Sequence, residues 1–338
     1  IDGSRRRRYV IVLSIGWVAR WSGGLDLSCR SFTYSRPVHV GAATPRQDVL
    51  IGSVRADRVE VGRVVNAQAI AEYYSQGELG RKILKALTML GADPEHLDPD
   101  QLAPVDEFHI GGRRATVELL DQLDLRPGLR VLDVGSGLGG TARYLAQRHG
   151  VEVTGVDLTP EYVQVATSLT RRTGLADLVQ FRQGSATTLS FPDDSFDRVC
   201  MLHVGMNIAD KAALFAEIRR VLVVGGGFGV YDLMRVGPGE VTYPVPWASS
   251  SATSFLVAPQ GYRELLARAG LPVRAERDRR GFGIQILREI RDRVAQEGPP
   301  TLGLHLVMAP DPALKIANML DSLERAMLAP TEMISLAQ

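Results

Sequence analysis

The chain has 338 residues, of which 45% are hydrophobic, and its 39 basic and 38 acidic residues leave a formal net charge of +1. A chain of this length can bury one large core or two small ones, and its charge balance favours neither nucleic acid nor an anionic membrane as a partner. The two cysteines, Cys29 and Cys200, lack the spacing of a zinc site or a disulfide framework. We therefore expect no metal, no nucleic-acid partner and a cytoplasmic location.

The N-terminal segment, residues 1–54, differs from the rest of the chain. It begins with the basic run "RRRR", followed by about ten mostly apolar residues that resemble the start of a signal peptide. The apolar stretch is too short for a membrane span, which needs about 20 residues. Two interpretations are open: a targeting segment, or an extension with no fold of its own. The second is favoured, because no helix or strand period is sustained up to Pro45.

Residues 55–125 are predicted to form a helical cap. Apolar residues three and four apart over 64–90 predict one or two helices, broken near Gly77 and ended by Gly91. Residues 93–112 contain three prolines and predict a loop. A short amphipathic helix is expected to follow over 113–123.

The main domain, residues 126–338, begins with half of a βαβ unit. A hydrophobic strand, a glycine-rich turn and a helix occupy residues 129–150, and a second strand ends at Asp157. Glycine lets the backbone approach a ligand closely, and an acid at the end of the second strand can accept both hydroxyl hydrogens of a ribose. The pattern therefore implies a cofactor that contains a nucleoside.

The glycine spacing separates two kinds of cofactor. Dinucleotide-binding proteins also contain G-x-G, but the turn here lacks the G-x-G-x-x-G spacing in which a helix N-terminus binds a pyrophosphate. Instead, Asp133 precedes the glycines and gives the pattern D-x-G-x-G-x-G. This pattern fits a ligand with a ribose and a charged amino-acid tail but no phosphates.

Four segments together resemble a known family. "VLDVGSGLGGTARYLA", "GVDLTPEYVQVA", "FPDDSFDRV" and "EIRRVLVVGGGFGVYD" occur in the order and at the spacing typical of class I S-adenosylmethionine-dependent methyltransferases. From about Val65 onward the chain looks most like the small-molecule group that includes sarcosine and dimethylglycine N-methyltransferases. The resemblance implies S-adenosyl-L-methionine as the cofactor and a small-molecule methyl acceptor as the partner.

The resemblance also implies a set of cofactor-binding residues. Asp133 holds the glycine turn, Asp157 binds the ribose hydroxyls and Leu158 lies against the adenine. Where the family usually has an acid to read the adenine edge this chain has Ser185, so that contact should be weaker. The remaining members of the predicted set are Gly135, Ser136, Gly137, Gly139, Ala186, the backbone of His203, Tyr74, Gly111 and Gly112.

Two polar residues after the fourth strand, His203 and Asn207, are the catalytic candidates. They follow the carboxyl end of a strand, where the ligand crevice of a doubly wound sheet lies. A neutral His203 could take a proton from the acceptor or hold it in line, and Asn207 could orient it. The alternatives are that His203 bonds local backbone groups and that Asn207 caps the next helix. The expected substrate-pocket residues are Tyr73, Phe108, His109, Met206, Tyr243 and Trp247, with Phe255 in the same segment as the last two.

The predicted fold is α/β, with a doubly wound, seven-stranded and mostly parallel sheet behind the helical cap. A lid insertion is expected at about 235–258. The seventh strand is predicted over 301–310, which would make His305 a structural residue of a central strand, and a closing helix should begin at Asp311.

Three functions remain open from the sequence. The leading one is methylation of the nitrogen of an amine or amino acid by in-line displacement. The others are C- or O-methylation of a phenolic or isoprenoid compound, and a non-catalytic nucleoside-binding module of the same fold. The sequence identifies neither the acceptor nor the oligomeric state.

Overall fold

The computed structural model describes residues 11–13, 17–19, 67–75 and 77–338 in two units. In the first unit, strands β1 (Ile11–Leu13) and β2 (Trp17–Ala19) pair antiparallel. The rest of the predicted 1–54 extension lies outside the described residues. All elements that follow belong to the second unit. Among the described residues no helix is both long enough and apolar enough to cross a membrane.

Four helices of the described residues precede the sheet. Helices α1 (67–74) and α2 (Leu79–Met89) are separated near Gly77, as predicted. The expected loop at 93–112 is wrong, because it contains helix α3 (Pro99–Asp106). Pro99 stands at the first helical position, where a missing N–H costs nothing, and the Asp98 carboxylate caps the helix. Helix α4 (Gly112–Leu120) then leads to the first strand of the sheet.

The sheet has seven strands in the order β5-β4-β3-β6-β7-β9-β8. Strands β3 to β7 pair in parallel, and β9 is antiparallel to both of its neighbours, β7 and β8. This confirms the predicted doubly wound, mostly parallel sheet. The strands are β3 (Arg130–Val134), β4 (Glu152–Asp157), β5 (Val179–Gln183), β6 (Phe196–Leu202), β7 (Leu222–Arg235), β8 (Val273–Asp278) and β9 (Leu328–Leu336).

Alternating side chains of the strands feed two buried cores, one on each face of the sheet. In β3, Leu132 packs with helices α7 (Lys211–Val221) and α8 (Pro259–Arg268), whereas Val131 packs with α4 and with α5 (Gly140–His149). This period of two places Asp133 on the same face as Val131. The helices that follow β3 in the chain are α5 (Gly140–His149), α6 (Pro160–Arg172), α7 (Lys211–Val221), α8 (Pro259–Arg268), α9 (Arg280–Glu297) and α10 (Pro312–Glu324).

The predicted seventh strand at 301–310 is wrong. That segment contains a 3₁₀ turn at Leu304–Leu306, and His305 lies in this turn with its side chain partly exposed. The seventh strand is β9, which follows α10. Consequently α10 is not the closing element.

Candidate active site

A cavity of about 390 Å³ lies at the carboxyl ends of strands β3, β4 and β6. Most of the residues predicted from the sequence line it. Four of them do not lie on its wall: Gly139, Tyr73, Tyr243 and Phe255. The sheet therefore brings the predicted cofactor and acceptor residues together around one cavity.

The glycine-rich turn between β3 and α5 forms part of the wall. Gly135 has a φ of +71°, and a β-carbon there would overlap the side chain of Val204. Gly137 has a φ of +52° and nothing within 4 Å of where a β-carbon would lie, so its backbone is open to the cavity. Gly139 instead packs against Phe181, which a β-carbon would approach to 2.5 Å. The turn thus contains glycines for two different reasons.

The Asp157 carboxylate is held by the backbone at the end of β4. Its Oδ2 accepts from the N–H of Gly137 at 2.9 Å, and its Oδ1 accepts from the N–H of Thr159 at 2.8 Å. Each carboxylate oxygen has a second lone pair, so the group can still accept from a ligand. Burial raises the pKa of this carboxyl, and the two backbone hydrogen bonds oppose that rise.

Asp133 has fewer partners than Asp157. Its side chain is buried in β3, where the Cys200 thiol donates weakly to Oδ1 at 3.7 Å and Oδ2 has no hydrogen-bond partner among the described residues. Desolvation raises the pKa of this carboxyl to about 7. The buried hydroxyl of Ser136, on the same wall, also lacks a partner. Two unpaired polar groups facing one cavity indicate a ligand that hydrogen-bonds to them.

Ser185 uses its hydroxyl within its own turn. The Ser185 Oγ accepts from the N–H of Thr187 at 3.3 Å and lies 2.9 Å from the Thr187 hydroxyl. Serine commonly closes turns in this way. The side chain lines the cavity beside Ala186, so it retains at most part of its capacity for a ligand.

His203 is the first residue after β6. Its N–H donates to the carbonyl of Tyr231 at 2.7 Å, and its φ of +54° turns the chain out of the strand. Its ring centroid lies 4.9 Å from that of Tyr231, and its Nε2 is buried without a partner. Burial lowers the pKa of this imidazole well below its usual value, so the ring is neutral near pH 7.

Asn207 lies at the end of a 3₁₀ turn, Gly205–Asn207, and its side-chain amide joins this turn to α1 and to the 236–258 segment. Its Nδ2 donates to the carbonyls of Trp247 at 2.9 Å and Thr253 at 3.1 Å, and its Oδ1 accepts from the Tyr74 hydroxyl at 3.0 Å. The helix-capping alternative is wrong, because Asp210 caps α7. With both amide donors occupied, one lone pair of Asn207 remains for any ligand.

Aromatic side chains close the cavity near α1. The ring of Tyr74 lies 5.8 Å from that of Tyr162 and 6.3 Å from that of Phe108. Tyr162 was not predicted, although its buried hydroxyl has no partner and its side chain lines the cavity. Tyr73 points elsewhere, since its hydroxyl donates to the carbonyl of Val245 at 2.9 Å. It therefore anchors the 236–258 segment.

The remaining predicted pocket residues divide into two groups. Met206 and Trp247 line the cavity, as do Gly111 and Gly112. Tyr243 packs into the apolar cluster around Trp247, away from the cavity wall. The N–H of Phe255 donates to the carbonyl of Met206 at 2.7 Å and so holds the 236–258 segment against the 3₁₀ turn.

His109 belongs to a buried hydrogen-bonded chain that the sequence did not predict. Its Nε2 lies 2.9 Å from Thr116 Oγ1 and 3.2 Å from the carbonyl of Gly112. The Thr116 hydroxyl in turn donates to Glu107 Oε2 at 2.6 Å. Burial lowers the pKa of His109 to about 4.

One side of the cavity is an apolar wall that sequence reasoning missed. Its residues come from α9, α10 and the segment after α9, because apolar stripes on those helices look the same whether they face a core or a cavity. We call this set the apolar wall. Its members are Ile286, Leu287, Ile290, Leu304, Val307, Met308, Ile316 and Met319.

No arginine or lysine is among the described residues that line the cavity. The acids that line it include Asp106 and Glu107, whose cationic partners lie off the wall. Asp106 accepts from Arg143 at 2.6 Å, and Glu107 accepts from Arg113 at 2.5 Å. An anionic group in this cavity would therefore meet no cation among the described residues.

Comparison with known proteins identifies relatives that carry out one kind of chemistry. A family model described as "Methyltransferase domain" matches residues 132–230. Methyltransferase GfsG of Streptomyces halstedii is 32% identical over 209 residues, which are 61% of this chain and 73% of that protein. Phosphoethanolamine N-methyltransferase 1 of Arabidopsis thaliana is 33% identical over 187 residues, 55% of this chain but 38% of that protein.

A solved structure shows the same fold. Geranyl diphosphate C-methyltransferase from Streptomyces coelicolor A3(2), in complex with S-adenosyl-L-homocysteine, matches with a TM-score of 0.59. The match covers 81% of this chain and 98% of that chain at 18% identity. At this identity the match establishes a shared architecture.

Proposed function

Since the chain belongs to the class I S-adenosylmethionine-dependent methyltransferases, we propose that its acceptor is an apolar small molecule without phosphate or carboxylate. This proposal favours the C- or O-methylation expected as an alternative from the sequence over N-methylation of an amino acid. The relatives named for phosphoethanolamine and geranyl diphosphate act on anionic compounds. The described part of this cavity offers no cation for such groups.

S-adenosylmethionine is the cofactor, and the residues around the glycine turn fit it. The unpartnered Asp133 Oδ2 and Ser136 Oγ suit the ammonium and carboxylate ends of an amino-acid tail. The open backbone at Gly137 allows close approach, and we assign the ribose hydroxyls to Asp157. When bound, S-adenosylmethionine supplies an electrophilic methyl group on a sulfonium sulfur.

The apolar wall is the observation that carries the acceptor class. Each square ångström of apolar surface removed from water stabilises a complex by about 25 cal/mol, so this wall favours a hydrocarbon-rich acceptor. A phosphate or carboxylate on the acceptor would lose its hydration against the apolar wall without gaining a cation, which is strongly unfavourable. The carboxylate of S-adenosylmethionine differs, because the polar groups of the glycine turn are available to it. A neutral amine, a phenol or an isoprenoid would not incur that cost.

Other residues supply positioning and water exclusion. Asn207 and Tyr73 fasten the 236–258 segment, and we propose that this segment acts as the lid expected at about 235–258. A closed site keeps water away from the reacting atoms. The expectations of a cytoplasmic location and of no nucleic-acid partner stay predictions.

A panel of acceptors tests the proposal with radiolabelled S-adenosylmethionine. The panel contains 4-butylphenol and 4-butylaniline as apolar acceptors, and sarcosine and phosphoethanolamine as charged ones. We expect transfer to at least one apolar acceptor and none to the charged pair. Transfer confined to sarcosine or phosphoethanolamine would overturn the acceptor class. Failure to bind S-adenosylhomocysteine at micromolar concentration would instead favour the non-catalytic alternative.

A further inference from the structure

The hydrogen bonds of Thr116 fix the proton of His109. Thr116 has one hydroxyl proton, and it goes to the Glu107 carboxylate at 2.6 Å. The Thr116 oxygen can therefore only accept from His109 Nε2 at 2.9 Å, and the Gly112 carbonyl at 3.2 Å is also an acceptor. Nε2 must then carry the ring proton. The lone pair of the imidazole is on Nδ1, which makes no hydrogen bond with the described residues.

The surroundings of His109 keep the ring neutral and place charged groups of both signs near it. On the side of α3 and α4, the charged groups near it are Asp106, Glu107 and Arg113. Opposite, the neutral ring of His203 lies 6.0 Å away, centroid to centroid, and the ring of Tyr231 lies 6.2 Å away. Arg113 is bound to Glu107 Oε1, which leaves Oε2 of the same carboxylate to Thr116.

His109 and His203 differ in what supports them. Both rings line the cavity, and both are neutral near pH 7 because burial lowers their pKa. Within the described part of the chain, His203 Nε2 has no hydrogen-bond partner and no carboxylate is hydrogen-bonded to the ring. The ring of His109 is linked to the Glu107 carboxylate through the Thr116 hydroxyl. In Ser-His-Asp enzymes a carboxylate bonded directly to the imidazole orients the base, and here the hydroxyl of Thr116 stands between the two groups.

We propose that His109 Nδ1 accepts the proton of a hydroxyl acceptor, with Thr116 and Glu107 as positioning residues. The inference rests on the proposed function and makes the reaction an O-methylation. The acceptor oxygen forms the O–CH₃ bond as its proton passes to Nδ1, while the S–CH₃ bond breaks and its electron pair stays on sulfur. The imidazolium then returns its proton to water.

Nitrogen-15 NMR of histidine-labelled full-length protein, saturated with S-adenosylhomocysteine, tests the ring state without turnover. We expect His109 to be protonated on Nε2 at pH 7, its signals being those lost in His109→Gln. Thr116→Val should shift the Nε2 resonance, and Thr116→Ser should restore it. His96→Gln is the control, because the side chain of His96 is 86% exposed. A proton on Nδ1 would overturn the proposal.

The pH profile of transfer to 4-butylphenol tests the step itself. General bases typically contribute 10²- to 10⁴-fold, so His109→Gln should lower kcat at pH 7 by about 100-fold or more. The kcat of His109→Gln should then rise about tenfold per pH unit towards the phenol pKa of about 10, because the phenol ionises in solution without a protein base. His96→Gln should keep the wild-type profile.

Four outcomes would count against His109 as the base. A kcat for His109→Gln within twofold of wild type, or a profile parallel to wild type, would remove His109 from the step. Methylation of 4-butylaniline but not of 4-butylphenol would overturn the hydroxyl assignment and leave the proposed function standing. Binding of S-adenosylhomocysteine with transfer to neither compound would overturn both.

Discussion

Two aspartates on one cavity wall have the same chemistry but different environments. Asp157 receives a backbone N–H on each oxygen, whereas Asp133 receives only a thiol on one. Hydrogen bonds to the charged form favour ionisation, and burial without them opposes it. The pKa of Asp133 is accordingly raised to about 7, so its charge changes near physiological pH.

Affinity for S-adenosylhomocysteine should rise with pH because of Asp133. The ligand's ammonium favours the ionised carboxylate, so the association constant should increase up to tenfold per unit below about pH 7 and level off above it. Calorimetry at pH 6, 7 and 8 in buffers of different ionisation enthalpy measures this slope and the proton released. Asp133→Asn should flatten the slope, and an unchanged slope would refute the assignment.

By contrast, Asp157→Ala should weaken binding of S-adenosylhomocysteine about 10- to 100-fold at every pH.

The residues that the sequence predicts well are those whose role depends on neighbours in the chain. Asp133 and Asp157 belong to a strand–turn–helix–strand unit, so their placement follows from local pattern. Thr116 and Glu107 become partners of His109 only when α4 folds back on the end of α3. No spacing rule distinguishes Thr116 from an ordinary helix residue.

At the scale of elements, the 3₁₀ turn after β6 joins parts of the chain that are far apart in sequence. The single side chain of Asn207 bonds Tyr74 of α1 and two carbonyls of the 236–258 segment. An amide that satisfies three buried or partly buried groups costs more to remove than one exposed hydrogen bond, because each group left unpaired is penalised.

Asn207→Ala should loosen two segments at once. It leaves the Tyr74 hydroxyl and the carbonyls of Trp247 and Thr253 unpaired, a loss of about 1–3 kcal/mol. Hydrogen exchange should accelerate in both 67–74 and 245–255. Asn318→Ala is the matched control, since Asn318 bonds only the carbonyl of Pro244 in that segment. Exchange that changes equally in the two variants would contradict the role of Asn207.

The apolar wall predicts an element-scale effect on the acceptor alone. Ile286→Glu places a charge on α9 against the cavity, so it should raise KM for 4-butylphenol about tenfold or more. The physical reason is that burying a polar group without a hydrogen-bond partner costs about 2–3 kcal/mol. Affinity for S-adenosylhomocysteine should stay within twofold of wild type. Glu289→Gln, on the exposed side of α9, is the control. Equal KM values for the two variants would show that the acceptor does not contact α9.

Strand β9 shows why part of the fold escaped prediction. Its polar residues Thr331, Glu332 and Ser335 are buried, and Pro330 interrupts the sequence pattern. Glu332 is tolerated because Arg277 and Arg279 each donate to it at 2.5 Å. Those arginines come from β8 and its C-terminal end, so the compensation exists only in the folded sheet. The apolar segment at 301–310 was the more strand-like of the two in sequence.

At the scale of the whole molecule, a buried polar cluster supports the turn that carries the site. The Tyr262 hydroxyl donates to Asp232 Oδ2 at 2.6 Å, and both side chains are fully buried behind Gly205. A β-carbon at Gly205 would overlap both groups. The stability of the fold and the position of the 3₁₀ turn therefore depend on the same contact.

Gly205→Ala should destabilise the protein by about 1–3 kcal/mol, the usual cost of overpacking a core. For a domain of this size that lowers Tm by about 2–4 °C per kcal/mol. Thermal unfolding measures the shift. Gly281→Ala is the control, because nothing lies within 4 Å of its β-carbon position in α9 and alanine favours a helix. A Tm equal to that of the control would show that the 3₁₀ turn can move to accommodate the added methyl group without loss of stability.

The position of β9 between β7 and β8 has a consequence for synthesis on the ribosome. Strand β7 ends at Arg235 and strand β9, which pairs with it, begins at Leu328. Roughly ninety residues are therefore translated between the end of β7 and the start of the strand that covers its free edge. At about 5–20 residues per second, this edge is open for about 5–20 s. Such an edge can pair with another nascent chain. The yield of folded protein should therefore depend on translation speed and chaperones more than its final stability suggests.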